Sequence, residues 1–255
     1  MSEKGEIHKF WNSRANLLLE AGTKDIISKR LGMQAIAKYV QDGMKVLDVG
    51  CGNGVTALEL VERHAIDITG FDYAEEMIKA ANENLTKKKL TGKCVFFVHD
   101  LKNVGVMRGA FDLVYTERTL INLQSWEEQE SAIRTIVGLL RPNARYLMCE
   151  NSQDALDRLN AMRAQAGLDV INTPWHNRYL REDEVESILL TDAKIECIEN
   201  FSSTYYFLSR IVNAWLSRRE GKEPAYDATI NKLALNLSPI GDVGQTKLWV
   251  WKKNQ

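Results

Sequence analysis

The segment Val46-Leu47-Asp48-Val49-Gly50-Cys51-Gly52-Asn53-Gly54, followed by Gly70-Phe71-Asp72, constrains the fold of this chain more than any other feature. Val46, Leu47 and Val49 are spaced as a short buried strand, and Gly50, Gly52 and Gly54 let the backbone turn sharply and approach a ligand. The apolar positions of Val55-Thr56-Ala57-Leu58-Glu59-Leu60-Val61 have helical spacing, so the glycine loop opens into a helix N-terminus. A second strand, Ile66 to Phe71, ends at Asp72, where a nucleoside-binding fold places the acid that takes the ribose. Strand, glycine loop, helix, strand and acid make a nucleoside-binding βαβ unit.

The glycine spacing narrows the nucleoside. A dinucleotide fingerprint is Gly-x-Gly-x-x-Gly with a pyrophosphate on the helix N-terminus. Here it is Gly-x-Gly-x-Gly after an acid, Asp48, a poor neighbour for pyrophosphate and a suitable one for a cationic cofactor. Read together, VLDVGCGNG (46–54) and GFDYAEEMIKAA (70–81) resemble the first two motifs of the class I S-adenosylmethionine (SAM)-dependent methyltransferases of small-molecule type. The resemblance covers about residues 35–150 and fades beyond. It implies SAM as cofactor, S-adenosylhomocysteine (SAH) as product, and a doubly wound α/β fold. Its sheet would be mostly parallel and seven-stranded, with an antiparallel last strand. A nicotinamide-dependent dehydrogenase and a non-catalytic SAM-binding protein are the alternatives from other classes.

The 255 residues, 45% of them hydrophobic, suffice for one large core or a core with a small cap. A formal net charge of −1, with 33 basic residues spread along the chain, gives no nucleic-acid-binding stripe. No apolar run is long enough to span a membrane, and the first residues lack the apolar core of a signal peptide, so a cytoplasmic location is expected. Cys51, Cys94, Cys149 and Cys197 are widely separated and lie in or beside predicted strands, which reads as buried, reduced thiols. Cys51 is expected to be a small packed side chain and not a nucleophile, because no base stands near it in sequence. With no His/Asp/Glu cluster at ligand spacing, a metal-independent reaction is expected. The oligomeric state is left at monomer or homodimer.

Residues 1–42 read as helices, including 24–32 and 33–40. Strands are predicted near 45–49, 67–71, 93–98, 111–115 and 144–150, with helices at 54–63, 74–88 and 126–140, an alternation that implies a parallel sheet covered on both faces. A helix at 154–166, a loop at 167–180, a helix at 182–191, a strand at 194–198 and a last strand at 246–251 follow. One domain, 1–255, is therefore expected: N-terminal helices (1–42), a SAM-binding core (43–150), cap insertions at 151–181 and 202–242, and the rest of the sheet at 182–201 and 243–255.

Ligands in open α/β sheets sit beyond the carboxyl ends of the strands. By resemblance, the backbone of Gly50, Cys51 and Gly52 faces the methionine portion of SAM, and Asp72 accepts hydrogen bonds from both ribose hydroxyls. Tyr73 and Met77 are placed to pack on the adenosine. Asp100 would take the adenine amino group and the Leu101 backbone the ring, unless Asp100 serves only a turn. Family members hold the sulfonium and the acceptor beside the segment that here begins Thr116-Glu117-Arg118. Glu117 and Arg118 are charged where the chain leaves a buried strand, so they need partners. Either they pair with each other, or one binds the SAM carboxylate or the acceptor. Phe10-Trp11-Asn12-Ser13-Arg14 resembles an aromatic entrance in which an arginine takes that carboxylate; a surface ion pair is the other reading of Arg14. In Thr173-Pro174-Trp175-His176-Asn177-Arg178-Tyr179, His176 is the candidate general base, with a structural histidine as the alternative, and His8, His64 and His99 rank below it. Tyr205, Tyr206 and Trp215 are expected in the lid or the core. The acceptor is expected to be a small polar molecule, first a sugar or polyol-like hydroxyl, with an amine or amino sugar as the alternative.

Overall fold

A computed structural model describes residues 3–101 and 111–255. Seven strands form one sheet in the order β3-β2-β1-β4-β5-β7-β6. They are β1 (Lys45–Val49), β2 (Asp67–Asp72), β3 (Lys93–Val98), β4 (Phe111–Glu117), β5 (Leu140–Asn151), β6 (Ala193–Glu199) and β7 (Thr246–Lys253). The pairs β3-β2, β2-β1, β1-β4 and β4-β5 are parallel, whereas β7 runs antiparallel to both β5 and β6. This is the expected doubly wound, seven-stranded, mostly parallel sheet with a reversed last strand. Strand order turns back between β1 and β4, which opens a ligand crevice at their carboxyl ends.

The near-continuous apolar runs of β1, β4 and β7 follow from burial on both faces. On one side Leu47, Val114, Tyr146 and Trp249 pack with Ile133 and Ile136 of α5 (Trp126–Gly138). On the other, Val46, Tyr115 and Leu147 pack with Ile36 of α2 (Ile26–Ala37) and Leu58 of α3 (Val55–Arg63). Residues 24–40, expected as two helices, contain the single helix α2. Asp25 caps it by accepting from Ser28 N at 3.0 Å, and Gly32 lies within it, at a position where a Cβ would stand 3.2 Å from Glu117 Oε1.

The N-terminal helix α1 (Glu3–Arg14) lies against α4 (Glu75–Leu85), fixed by the Glu76 backbone N–H donating to Asn12 Oδ1 at 3.0 Å. In the second half, α6 (Gln153–Gln165) is followed by a loop that returns to the sheet, and α7 spans only Glu182–Glu186 instead of 182–191. The chain leaves that helix early because Leu189 is solvent-exposed and its carbonyl accepts from Arg134 Nη1 at 2.9 Å. Beyond β6, α8 (Ser203–Phe207) continues through a π-turn at Leu208–Asn213 into α9 (Ala214–Arg219), and α10 (Thr229–Leu233) follows. Leu159 of α6 shares an apolar cluster with Tyr205 and Tyr206 of α8. Cys94 and Cys149 are buried and Cys51 half-buried, but Cys197 is exposed, because β6 is an edge strand with one open face. No helix among the described residues is long and apolar enough to cross a membrane.

Candidate active site

Beyond the ends of β1, β2 and β4 lies a cavity of about 810 Å³. Its size falls in the upper part of the ~300–1,000 Å³ range of small-molecule sites. Gly50 and Gly52 shape one wall with φ of 72° and 52°. A Cβ on Gly50 would meet Thr119 Cγ2 at 2.3 Å, whereas one on Gly52 would point into open space, with Met77 Sδ at 3.9 Å. Only a residue without a Cβ allows both turns. Asn53, one position on, donates through Nδ2 to the carbonyls of Ala15 and Leu18, 3.0 Å each, and ties the N-terminal segment over the glycine loop.

Asp72 is buried at the end of β2. Its Oδ2 accepts from Gly52 N at 3.0 Å and its Oδ1 from Ala74 N at 2.9 Å. Each oxygen retains acceptor capacity, so the carboxylate can serve two further donors, as a vicinal diol presents. Burial raises its pKa, against the pull of those backbone N–H groups. Asp48 accepts from Tyr115 Oη at 2.6 Å, a contact set by register, since both residues face each other across β1 and β4. Burial pushes the Asp48 carboxyl up to about 7, although the Tyr115 bond opposes the shift.

The two charges at the end of β4 do not pair with each other. Glu117 is bound by Lys29 of α2 at 2.6 Å and by the Thr56 hydroxyl at 2.7 Å. Burial alone would raise its pKa, but the Lys29 ammonium, with Arg118 and the Thr56 hydroxyl, holds it below the usual carboxylate range. Glu117 therefore stays charged and structurally committed on the cavity wall, which removes it from the catalytic candidates. Arg118 adopts a left-handed backbone, φ 56°, and its guanidinium lies against Gly22, donating to that carbonyl at 3.4 Å. Thr116 is off the wall: its hydroxyl is fully buried and hydrogen-bonds Tyr146 Oη at 3.0 Å, because alternation along β4 turns it toward the α5 face. The expectation that Thr116 touches the cofactor is corrected.

Every other anticipated site residue lines the one cavity: Trp11, Arg14, Asp48, Gly50, Cys51, Gly52, Asp72, Tyr73, Met77, Asp100, Leu101, Glu117, Arg118 and His176. Arg14 donates to Ala21 O at 2.5 Å and Glu20 O at 2.7 Å, so its guanidinium caps the turn that follows α1 and makes no ion pair among the described residues. His176 lies 4.3 Å from the Phe10 ring and 5.8 Å from Trp11, centroid to centroid. Its Nδ1 is buried without a hydrogen-bond partner, which sets aside a structural role through that nitrogen. Burial lowers its pKa, and Arg14 adds to the effect. Of the predicted lid aromatics, Tyr206 reaches the cavity, Tyr205 is buried on Asp25 at 2.5 Å, and Trp215 lies off the wall, stacked on Arg219.

The far wall was anticipated only through Tyr206 and the loop that carries Tyr179. Gln245 Nε2 donates to Tyr179 Oη at 2.8 Å, Thr246 Oγ1 to Asn151 Oδ1 at 2.8 Å, and the Tyr206 hydroxyl lies 3.2 Å from Thr246 Oγ1. Asn151, Tyr179, Tyr206 and Gln245 all face the cavity. Arg210, from the π-turn, pairs with Asp25 and lies 4.7 Å from the Tyr226 ring centre. Asn151 stands at a strand end, a place worth inspecting from sequence; Gln245 and Arg210 come from sequence-distant segments with no local motif.

A sequence profile of a methyltransferase domain matches residues 40–189. The chain is 27% identical over 138 residues to the 27-O-demethylrifamycin SV methyltransferase of Amycolatopsis mediterranei, an alignment covering 54% of this chain and 48% of that protein. It is 24% identical over 156 residues to the phosphoethanolamine N-methyltransferase of Triticum aestivum, covering 60% and 30% respectively. The chain spans about half the length, or less, of these curated relatives. Among solved structures, the magnesium protoporphyrin IX methyltransferase of Synechocystis with bound SAH superposes with a TM-score of 0.62 at 15% identity, over 99% of this chain and 100% of that one. The [4+2]-cyclase SpnF gives 0.58 at 20% identity, over 87% and 79%. Likeness at that identity fixes the fold and not the chemistry. The profile match, the glycine loop and the sheet order agree: the chain belongs to the methyltransferase-domain family, with the class I SAM-dependent fold.

Proposed function

We propose that this protein is a SAM-dependent methyltransferase that methylates a hydroxyl on a small polar acceptor, a sugar or polyol-like molecule, without a metal ion. The cofactor fits the residues present. Gly52 leaves open the space a Cβ would fill, Asp72 keeps two acceptor positions toward the cavity, and Trp11 Nε1 is buried without a partner. Bound SAM supplies an electrophilic methyl group on a sulfonium. Asp72, beside the glycine loop and without an ion pair among the described residues, gives that half of the cavity a carboxylate suited to a cation.

The observation that carries the acceptor chemistry is His176. Held between Phe10 and Trp11 with a depressed pKa, it is neutral at pH 7 and able to take a proton from a hydroxyl. Around it, Asn122, Asn151, Asn177, Tyr179 and Gln245 offer hydrogen-bonding groups at several heights of the wall, as a polyhydroxylated acceptor requires.

Amine methylation is the second reading, favoured by the similarity to phosphoethanolamine N-methyltransferases. Incubating the protein with SAM and matched polyol and amino-alcohol panels, with SAH release as readout, tests both. Hydroxyl turnover that falls at least a hundredfold in His176→Ala supports the base. Turnover confined to amines, unchanged in that variant, selects the second reading. SAM binding without turnover on either panel indicates a binding protein.

A further inference from the structure

Arg118 is a cation that the fold goes to some trouble to place. Its φ of 56° is a conformation that a non-glycine residue adopts at a cost and keeps only where its surroundings enforce it. The enforcement is visible. Arg118 N donates to Cys149 O at 2.9 Å, and Asn122 Nδ2 donates back to Arg118 O at 2.9 Å. Glu150, fully buried, accepts the next three backbone N–H groups, from Thr119, Leu120 and Ile121, at 3.0, 3.1 and 3.4 Å. The guanidinium then rests on Gly22, where an added Cβ would stand 3.1 Å from Nη2.

Its charge has no ion-pair partner among the described residues, although Glu117 lies within its field. Glu117 is bonded by Lys29, and Asp25 by Arg210. The hydrogen bond that the described residues give the guanidinium is the long contact to the Gly22 carbonyl. The guanidinium rests one residue past the Ala21 carbonyl that takes Arg14, while its backbone is tied to Asn122 of the cavity wall and its field reaches Tyr179. An unpaired guanidinium lining a cavity is a ready fork for a planar or tetrahedral oxyanion.

We infer that Arg118 is the specificity residue of the acceptor half, and that the acceptor carries an oxyanion, a carboxylate or a phosphate ester, alongside the group that is methylated. This rests on the donor reading of the glycine-loop half. The test uses the SAH-loaded protein and three probes of one skeleton: glycerol, glycerate and glycerol 3-phosphate, titrated by calorimetry. The anionic probes are expected to bind at least tenfold more tightly than glycerol, and comparison of the two anions assigns carboxylate or phosphate. In Arg118→Gln the preference disappears and SAH affinity stays within threefold of wild type; Arg118→Lys, which keeps the charge and loses the fork, retains part of the preference. Equal or absent binding of the three probes to the wild type overturns the inference. So does a preference that survives in Arg118→Gln, or a tenfold loss of SAH affinity there, which would move the guanidinium to the donor's carboxylate. A wild-type chain that does not bind SAH at all fails at the donor reading instead, and calorimetry of SAH alone shows it.

Discussion

Replacing Asp72 by alanine removes the acid on which the donor assignment depends. Each carboxylate oxygen already takes one backbone N–H, at 3.0 and 2.9 Å, and has one further acceptor position for a ribose hydroxyl. Hydrogen bonds to a charged group contribute about 1.5–3 kcal/mol each, so two of them are worth roughly 3–6 kcal/mol. Burial raises the Asp72 pKa and water can fill the space left by the side chain, which favours the lower end of that range. At ~1.4 kcal/mol per decade, the dissociation constant for SAH should rise about a hundredfold. The same substitution strips Ala74 N of its acceptor in a place closed to solvent, so the ligand-free variant should also lose ~1–3 kcal/mol of unfolding free energy. Calorimetric titration with SAH and urea unfolding of the ligand-free protein separate the two effects. A cooperatively folding Asp72→Ala protein whose SAH affinity lies within threefold of wild type would refute the ribose role.

Three further outcomes follow from the titratable groups. Because burial and Arg14 lower the His176 pKa, the acidic limb of kcat/KM for a hydroxyl acceptor should have its midpoint below the ordinary imidazole value of 6.5; a midpoint above 6.5 contradicts the depressed base. Replacing Glu150 by alanine leaves three N–H groups unmet, two of them buried, and should cost at least about 2 kcal/mol in urea unfolding, along with the hold on Arg118; a loss under about 1 kcal/mol would show that water replaces the carboxylate. Asp48 is ionised in the unfolded chain above its ordinary value of 3.8 but protonated in the fold up to about 7. Its contribution is therefore complete below 3.8 and lost as pH rises through about 7, and Asp48→Asn should flatten the fall in melting temperature between about pH 4 and 7, as scanning calorimetry would register.

The sheet was legible because its signals are local and redundant. Each core strand is a short apolar run, each crossover helix has its own period, and the glycine loop needs residues that can turn as Gly50 and Gly52 do. Where one signal stood alone, the reading slipped. The apolar spacing around Leu189 and Leu190 extended a helix that tertiary contacts end at Glu186, and α2 looked like two helices although Gly32 only makes room for Glu117. Strand alternation at the end of β4 was the signal that separates Thr116 from Glu117: side chains two apart share a face, so Tyr115 and Glu117 point to the Asp48 side and Thr116 to Tyr146.

The site divides along the same line, and the division has a chemical cause. A donor that is one fixed molecule can be held by one βαβ unit, so its residues cluster within a few dozen positions and keep recognisable spacing. The acceptor wall has no such economy. Asn151 and Gln245 are joined to Tyr179 and Tyr206 through side-chain hydrogen bonds spanning up to 95 residues of sequence, and nothing in any one segment announces the others. The charges show the same limit. Sequence placed Glu117 beside Arg118 and offered mutual pairing, whereas the fold brings Lys29 from α2 to Glu117 and leaves the guanidinium over. Which of two adjacent charges is neutralised depends on a third residue 88 positions away. That third residue replaces the mutual pair with a cavity-lining guanidinium that has no ion pair among the described residues, and hence bears on the acceptor's charge.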